Sequence, residues 1–269
     1  MVPVRGVIRL LPLLIWMPAA AQQNAILTNT GEPLRLPYQC TQEEAAAAGL
    51  HCSEDDPCDV YLEISAVEGV GARLFLAGNI HTGSLTLQSV LLASADAGKT
   101  WSEPFERIRR ASLDRIQFFD YANGWISGQT VQPLPREPFF LITTDGGATW
   151  RRRPIFSESR IGAVDRFRFT SAANGTLWID RSQSGEPGAA WERYETASGG
   201  ESWTLREAVA RPPASPAGSE GDDVWRVRPD AKTGAYKLER RTGSGWQLVA
   251  AFLISLGPCA PPAGSLAEP

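Results

Sequence analysis

Short apolar runs alternating with polar residues dominate the chain. Val60-Tyr61-Leu62-Glu63-Ile64 alternates, the period of a strand with one buried face, and Val224-Trp225-Arg226-Val227-Arg228 also reads as a strand. Strands are also expected over Arg73 to Asn79, Leu87 to Ser94, Ala235 to Arg240 and Trp246 to Phe252. Two segments repeat one design: Arg115 to Asp120 followed by Asn123 to Gly128, and Arg166 to Ser171 followed by Asn174 to Asp180. Each predicts a strand, an Asn-Gly hairpin turn and a second strand.

Each repeated unit ends in a short polar string. Ser94-Ala95-Asp96-Ala97-Gly98-Lys99-Thr100-Trp101 returns as Thr143-Thr144-Asp145-Gly146-Gly147-Ala148-Thr149-Trp150, and in worn form as Thr196-Ala197-Ser198-Gly199-Gly200-Glu201-Ser202-Trp203. An Asp that can accept backbone N–H groups and a Gly that tolerates positive φ suit a tight turn. The following Trp opens the next strand as an apolar anchor. The indoles at 101, 150, 203 and 246 are spaced by 49, 53 and 43 residues, the length of a four-stranded propeller blade.

These strings resemble the Asp-box, or BNR repeat, of β-propellers. The resemblance implies an all-β propeller of about four four-stranded antiparallel blades, at roughly residues 59–110, 111–158, 159–210 and 220–257. Ala25 to Tyr38 with C-terminal residues would make a fifth. The boxes would lie between the two outer strands of each blade, with Ser94, Asp96, Gly98, Thr100, Trp101, Thr143, Asp145, Gly147, Thr149, Trp150, Thr196, Gly200 and Trp203 as turn staples. Asn123-Gly124-Trp125-Ile126-Ser127-Gly128 ahead of the second box is similar to the photosystem II assembly factors of the Ycf48/HCF136 group. That likeness covers about residues 60 to 205 and implies a non-catalytic scaffold that binds another protein.

Composition sets the compartment. Arg5 and Arg9, an apolar run from Leu10 to Met17 and Ala19-Ala20-Ala21 read as a secretory signal over residues 1–21, so a secreted or periplasmic protein is expected, with no stable membrane insertion. Its removal takes the formal charge from −4 to −6, which argues against nucleic acid as a partner. In an oxidising compartment Cys40, Cys52, Cys58 and Cys259 are read as two disulfides and not as a metal site. A bridge from Cys259 to Cys40 or Cys52 would tie the termini. Thr41 to Glu44 ahead of four alanines predicts a short helix opened by a capping box within the N-terminal segment, residues 22–58. Residues 260–269 read as a disordered tail after the propeller at 59–259.

Catalytic chemistry is poorly represented. Sialidases, which also carry Asp boxes, clamp a substrate carboxylate with three arginines and use a Tyr–Glu pair, and the Phe/Tyr-Arg-Ile-Pro string that supplies their first arginine is missing here. Neither His51 nor His81 sits in a triad or metal-ligand context, so no catalytic residue, metal or cofactor is assigned. Arg107, Arg109 and Arg110 after the first box and Arg151, Arg152 and Arg153 after the second are charged rim positions and candidates for docking an acidic protein partner. The alternative is a sialidase-like hydrolase or a lectin that binds glycan in the channel on aromatic platforms such as Trp125 and Trp178.

Overall fold

The computed structural model describes residues 25–38, 40, 42–47, 49–52, 55, 58–131, 137–185, 190–211, 224–243 and 245–254. The expected signal segment, the expected tail and Cys259 lie outside these residues. The described chain is built almost wholly of antiparallel sheets. β1 (Leu27–Thr28), β2 (Leu34–Leu36) and α1 (Gln42–Ala47) precede the first sheet, β3 (Tyr61–Val70), β4 (Arg73–His81) and β5 (Thr86–Ser94). β6 (Thr100–Trp101) pairs with β1, and bridges from Ser102 to Ala93 and from Arg109 to Gln88 lay the following stretch beside β5. The second sheet holds β7 (Ala111–Phe118), β8 (Gly124–Thr130), β9 (Pro138–Thr143) and β10 (Arg151–Pro154). The third holds β11 (Ala163–Phe169), β12 (Gly175–Asp180), β13 (Trp191–Thr196) and β14 (Thr204–Val209).

The fourth sheet departs from expectation. β15 (Trp225–Asp230), β16 (Ala235–Thr242) and β17 (Gly245–Ile254) are joined by β2, which runs parallel to β17 with Leu34 opposite Phe252. β2 of the N-terminal segment therefore joins this sheet, while β1 of the same segment pairs with β6. A strand arriving from the far end of the chain is not constrained by a tight turn, so parallel pairing is open to it, and it buries Leu34 and Leu36. Trp246 is also displaced from its expected role. It follows the Thr242–Gly245 turn between the second and third strands of its sheet, whereas the other three indoles follow the third strand.

Three apolar clusters order the sheets. Leu34, Leu36, Leu238 and Phe252 pack with Leu74, Leu76 and Trp101 between the fourth and first sheets. Phe75, Leu91, Leu113 and Trp150 fill the space between the first and second, and Trp125, Phe140, Phe169 and Tyr194 that between the second and third. No such cluster joins the third sheet to the fourth among the described residues, and the four sheets form an arc in the order fourth, first, second, third.

Two local expectations change for steric reasons. The Asn-Gly pairs do not make two-residue turns: the loops run from Phe119 to Asn123 and from Thr170 to Asn174, where Asp120 and Ser171 accept the N–H groups of the loop. Gly124 and Gly175 instead start strands where a Cβ would stand 2.6 Å and 2.7 Å from the rings of Phe118 and Phe169. Among the cysteines, Cys52 pairs with Cys58, six residues away and with Cα atoms 5.3 Å apart, which rules out the expected Cys52–Cys259 tie. Cys40 is also disulfide-bonded. The α1 capping residue Thr41 falls outside the described residues, and Glu44 accepts hydrogen bonds from Tyr38 and Gln88, joining the helix to β5.

Candidate functional site

The boxes act as turns and as seams. Asp96 accepts from the Thr100 N–H at 2.8 Å and from the Thr100 hydroxyl at 2.7 Å, and Ser94 accepts from the Gly98 N–H at 2.9 Å. Thr143, Asp145, Gly147 and Thr149 repeat the pattern, with Trp150 donating to the Gly147 carbonyl at 3.2 Å as Trp101 does to Gly98 at 3.1 Å. The box glycines Gly98, Gly147 and Gly200 have positive φ. The Thr100 backbone and hydroxyl bonds hold the Asp96 carboxyl down to about 2, and those of Thr149 do the same for Asp145. Both contributions are present above the ordinary carboxylate pKa near 4 and are lost as pH falls through about 2.

The third box keeps the shape with weaker chemistry. Ser198 replaces the Asp, accepting from the Ser202 N–H at 3.0 Å with Thr196 above it, and the buried Trp203 Nε1 has no partner. Ser198→Asp is expected to restore the two-oxygen staple and raise Tm by about 2–4 °C. In a thermal melt series the gain should vanish as pH falls from about 4 to 2; a gain equal at both pH values would show that the carboxylate is not the cause.

Each box also receives a side chain from the preceding sheet. Arg73 of β4 donates to the Gly146 carbonyl at 2.7 Å, and Trp125 of β8 donates to Gly199 at 2.8 Å. Asn29, beside β1, donates to Gly98 and to Val249 of β17 at 2.9 and 2.8 Å. The boxes thus face neighbouring sheets, and the carboxylates of Asp96 and Asp145 bond groups of their own turns.

The rim arginines are largely committed. On β10, Arg151 and Arg153 share one face and bracket Glu201 of the third box, while Arg152 points the other way over the Phe139 ring at 4.2 Å. Burial lowers the Arg152 pKa. Arg107 is held by Glu103 and the Pro37 carbonyl, and Arg110 adopts a positive φ with its N–H on Leu87. Arg109 is exposed with neither an ion pair nor a ring contact among the described residues. The expected rim docking patch is thus mostly a set of seams between sheets.

A second set of arginines, not singled out in the sequence, lies at the centre of the arc. The innermost strands β3, β7 and β11 each carry a β-bulge at one equivalent position, at Ser65, Asp114 and Asp165. A bulge breaks the alternation and re-aims the following side chains. Together with β12 and β15 these strands border an open cleft of about 1160 Å³. Arg115, Arg166, Arg168, Asp114, Gln117, Gln129, Trp178 and Trp225 contribute to its lining. Arg166 pairs with Asp165 at 2.7 Å, whereas Arg115 and Arg168 are exposed with no ion pair among the described residues. Three arginines face one aspartate in a chain of net charge −4. The Asp-Arg dyads at 114–115 and 165–166 were the available sequence signal.

The aromatic platforms separate. Trp178 borders the cleft, but Trp125 is buried, stacked on Phe169 with centroids 3.6 Å apart. A Tyr–Glu pair is present: Tyr194 donates to Glu192 at 2.6 Å, with Arg181 and Arg160 on the same carboxylate. It is buried on β13 and is not part of the cleft lining. Burial, then the Glu192 bond, pushes the Tyr194 hydroxyl up to about 12. This group fastens the connector after β10, where Arg160 also lies over Phe156.

No family model matches the chain, and no curated protein matches it. Solved structures do. Ycf48 from Cyanidioschyzon merolae is 17% identical over 71% of this chain and 57% of its own, with a TM-score of 0.38. YCF48 bound to D1 peptide is 15% identical over 73% and 60%, at 0.39, and the phage phi92 endosialidase 11% over 78% and 44%, at 0.42. The chain spans less than two thirds of the length of each. In repeat and sheet arrangement it is similar to the BNR, sialidase-like β-propellers, Ycf48 among them.

Proposed function

We propose that this chain is a non-catalytic, extracytoplasmic binding propeller that holds an acidic stretch of a partner protein in its central cleft. The observation that carries this reading is the pair Arg115 and Arg168, two exposed guanidiniums without ion pairs among the described residues, beside the indoles of Trp178 and Trp225. Guanidinium forks match carboxylates, and indoles supply contact area at small entropic cost. A cleft of about 1160 Å³ exceeds a typical small-molecule pocket and suits an extended segment. The signal-like N-terminus and the Cys52–Cys58 bridge favour an oxidising compartment outside the cytoplasm.

Indoles beside arginines also suit an acidic glycan, which is the second reading. Calorimetry of the purified mature chain with Asp/Glu-rich peptides, a glycan array and a fluorogenic sialoside separate the two. Saturable peptide binding that weakens with salt supports the proposal. Sialoside turnover would overturn the non-catalytic reading, and glycan binding without peptide binding would replace the protein partner by a carbohydrate.

A further inference from the structure

Four residues beyond the bulge on β3, β7 and β11 stand Gly69, Phe118 and Phe169. Phe118 and Phe169 each give a ring to the sheet before their own: Phe118 stacks on Phe75 with centroids 4.7 Å apart, and Phe169 on Trp125. The first sheet has glycine at this place, and the ring comes from the other side of the seam. Trp225 of β15 lies so near Gly69 that a Cβ there would stand 3.1 Å from its Cε2, 2.9 Å from its Cδ1 and closer still to its Nε1. Trp225 is also the one residue of the fourth sheet in the cleft lining among the described residues. We propose that Gly69 is a positioning residue for recognition: it admits the Trp225 indole against β3 and so fixes the fourth-sheet wall of the cleft. This role presupposes that the cleft binds an acidic segment.

The backbone gives glycine no other task here. Gly69 pairs with Leu74 inside the β3–β4 ladder, and its φ lies outside the left-handed region. Alanine would therefore meet no backbone strain, and glycine weakens a strand interior. A methyl group would have one obstacle, because the three nearest atoms all belong to the Trp225 indole. Heavy atoms reach favourable contact at about 3.5–4.0 Å, so the ring would have to recede by about 1 Å. Its retreat is blocked on the fourth-sheet side. There Trp225 packs against the cluster that holds Leu238, Ala250 and Phe252, and the Arg240 guanidinium, opposite it in the β15–β16 register, lies 5.4 Å from the ring centroid. A close-packed interior does not absorb such a shift, so the displacement emerges at the cleft, where the indole supplies rigid contact area beside Arg115 and Arg168.

Trp225→Leu removes the indole and keeps an apolar side chain on the cluster, so Gly69→Ala, Trp225→Leu and the double variant close a cycle. In urea unfolding, Gly69→Ala alone should raise the unfolding constant on the order of tenfold, and should leave it unchanged or lower when added to Trp225→Leu. Folding restored by Trp225→Leu would carry the same coupling should Gly69→Ala alone not fold. In calorimetry with an Asp/Glu-rich peptide, each single variant should weaken binding on the order of tenfold, and the double variant no more than Trp225→Leu alone. Equal stability costs of Gly69→Ala in both backgrounds, or additive losses of affinity, would overturn the proposal. Wild-type affinity in either single variant would also overturn it and leave the acidic-segment reading in place. Absence of peptide binding by the wild type itself would remove that reading and this role with it, whatever the stability cycle shows.

Discussion

Replacing Trp125 by alanine is expected to destabilise the protein by about 3–5 kcal/mol. Its ring is 1% exposed and lies parallel to Phe169 with an interplanar angle of 5°, and its Nε1 holds the Gly199 carbonyl. Truncation removes the apolar area that joins the second and third sheets and strips a donor from the third box. Trp125→Phe separates these terms: it keeps most of the stack and loses the hydrogen bond, for about 1–2 kcal/mol. Trp203 offers an internal comparison, since its buried Nε1 has no partner and its removal leaves no carbonyl stranded. Urea denaturation at neutral pH reads all three. A Trp125→Ala cost below that of Trp203→Ala would show that the seam is held elsewhere.

That seam marks where the sequence could be read and where it could not. The boxes were legible because a turn is a local solution: Asp96 and Thr100 satisfy each other within four residues, so the residue types reappear at Asp145 and Thr149. Trp125 looked like a channel platform because strand alternation does not say which face meets the next sheet. The parallel pairing of β2 with β17 joins residues more than 200 positions apart and leaves no local trace. Gly124 and Gly175 misled differently, being small to admit a phenylalanine ring and not to turn the chain. The rim arginines were visible as clusters, but Glu201, which engages Arg151 and Arg153, sits in the neighbouring repeat. Arg115 and Arg168 looked like ordinary strand residues, because the bulges that set them at the cleft are backbone events without a residue signature of their own.

The double reversal Arg115→Glu/Arg168→Glu should abolish capture of an acidic peptide, with affinity falling at least about a hundredfold at low salt. Near a protein surface a pair of unit charges 4 Å apart is worth about 4 kcal/mol before screening, so two attractions turned into repulsions exceed the few tenths of a kcal/mol expected of a rim charge. Stability should change by no more than about 0.5 kcal/mol, since neither guanidinium forms an ion pair among the described residues. Arg109→Glu is the control: one charge reversal, half the charge change of the double variant, at an exposed arginine outside the cleft lining. Calorimetric titrations at two ionic strengths distinguish the cases, because only a cleft in direct contact with carboxylates should lose both affinity and salt dependence on reversal. Equal losses from Arg109→Glu and the double variant would place recognition in the overall field of the protein and remove the cleft from the account.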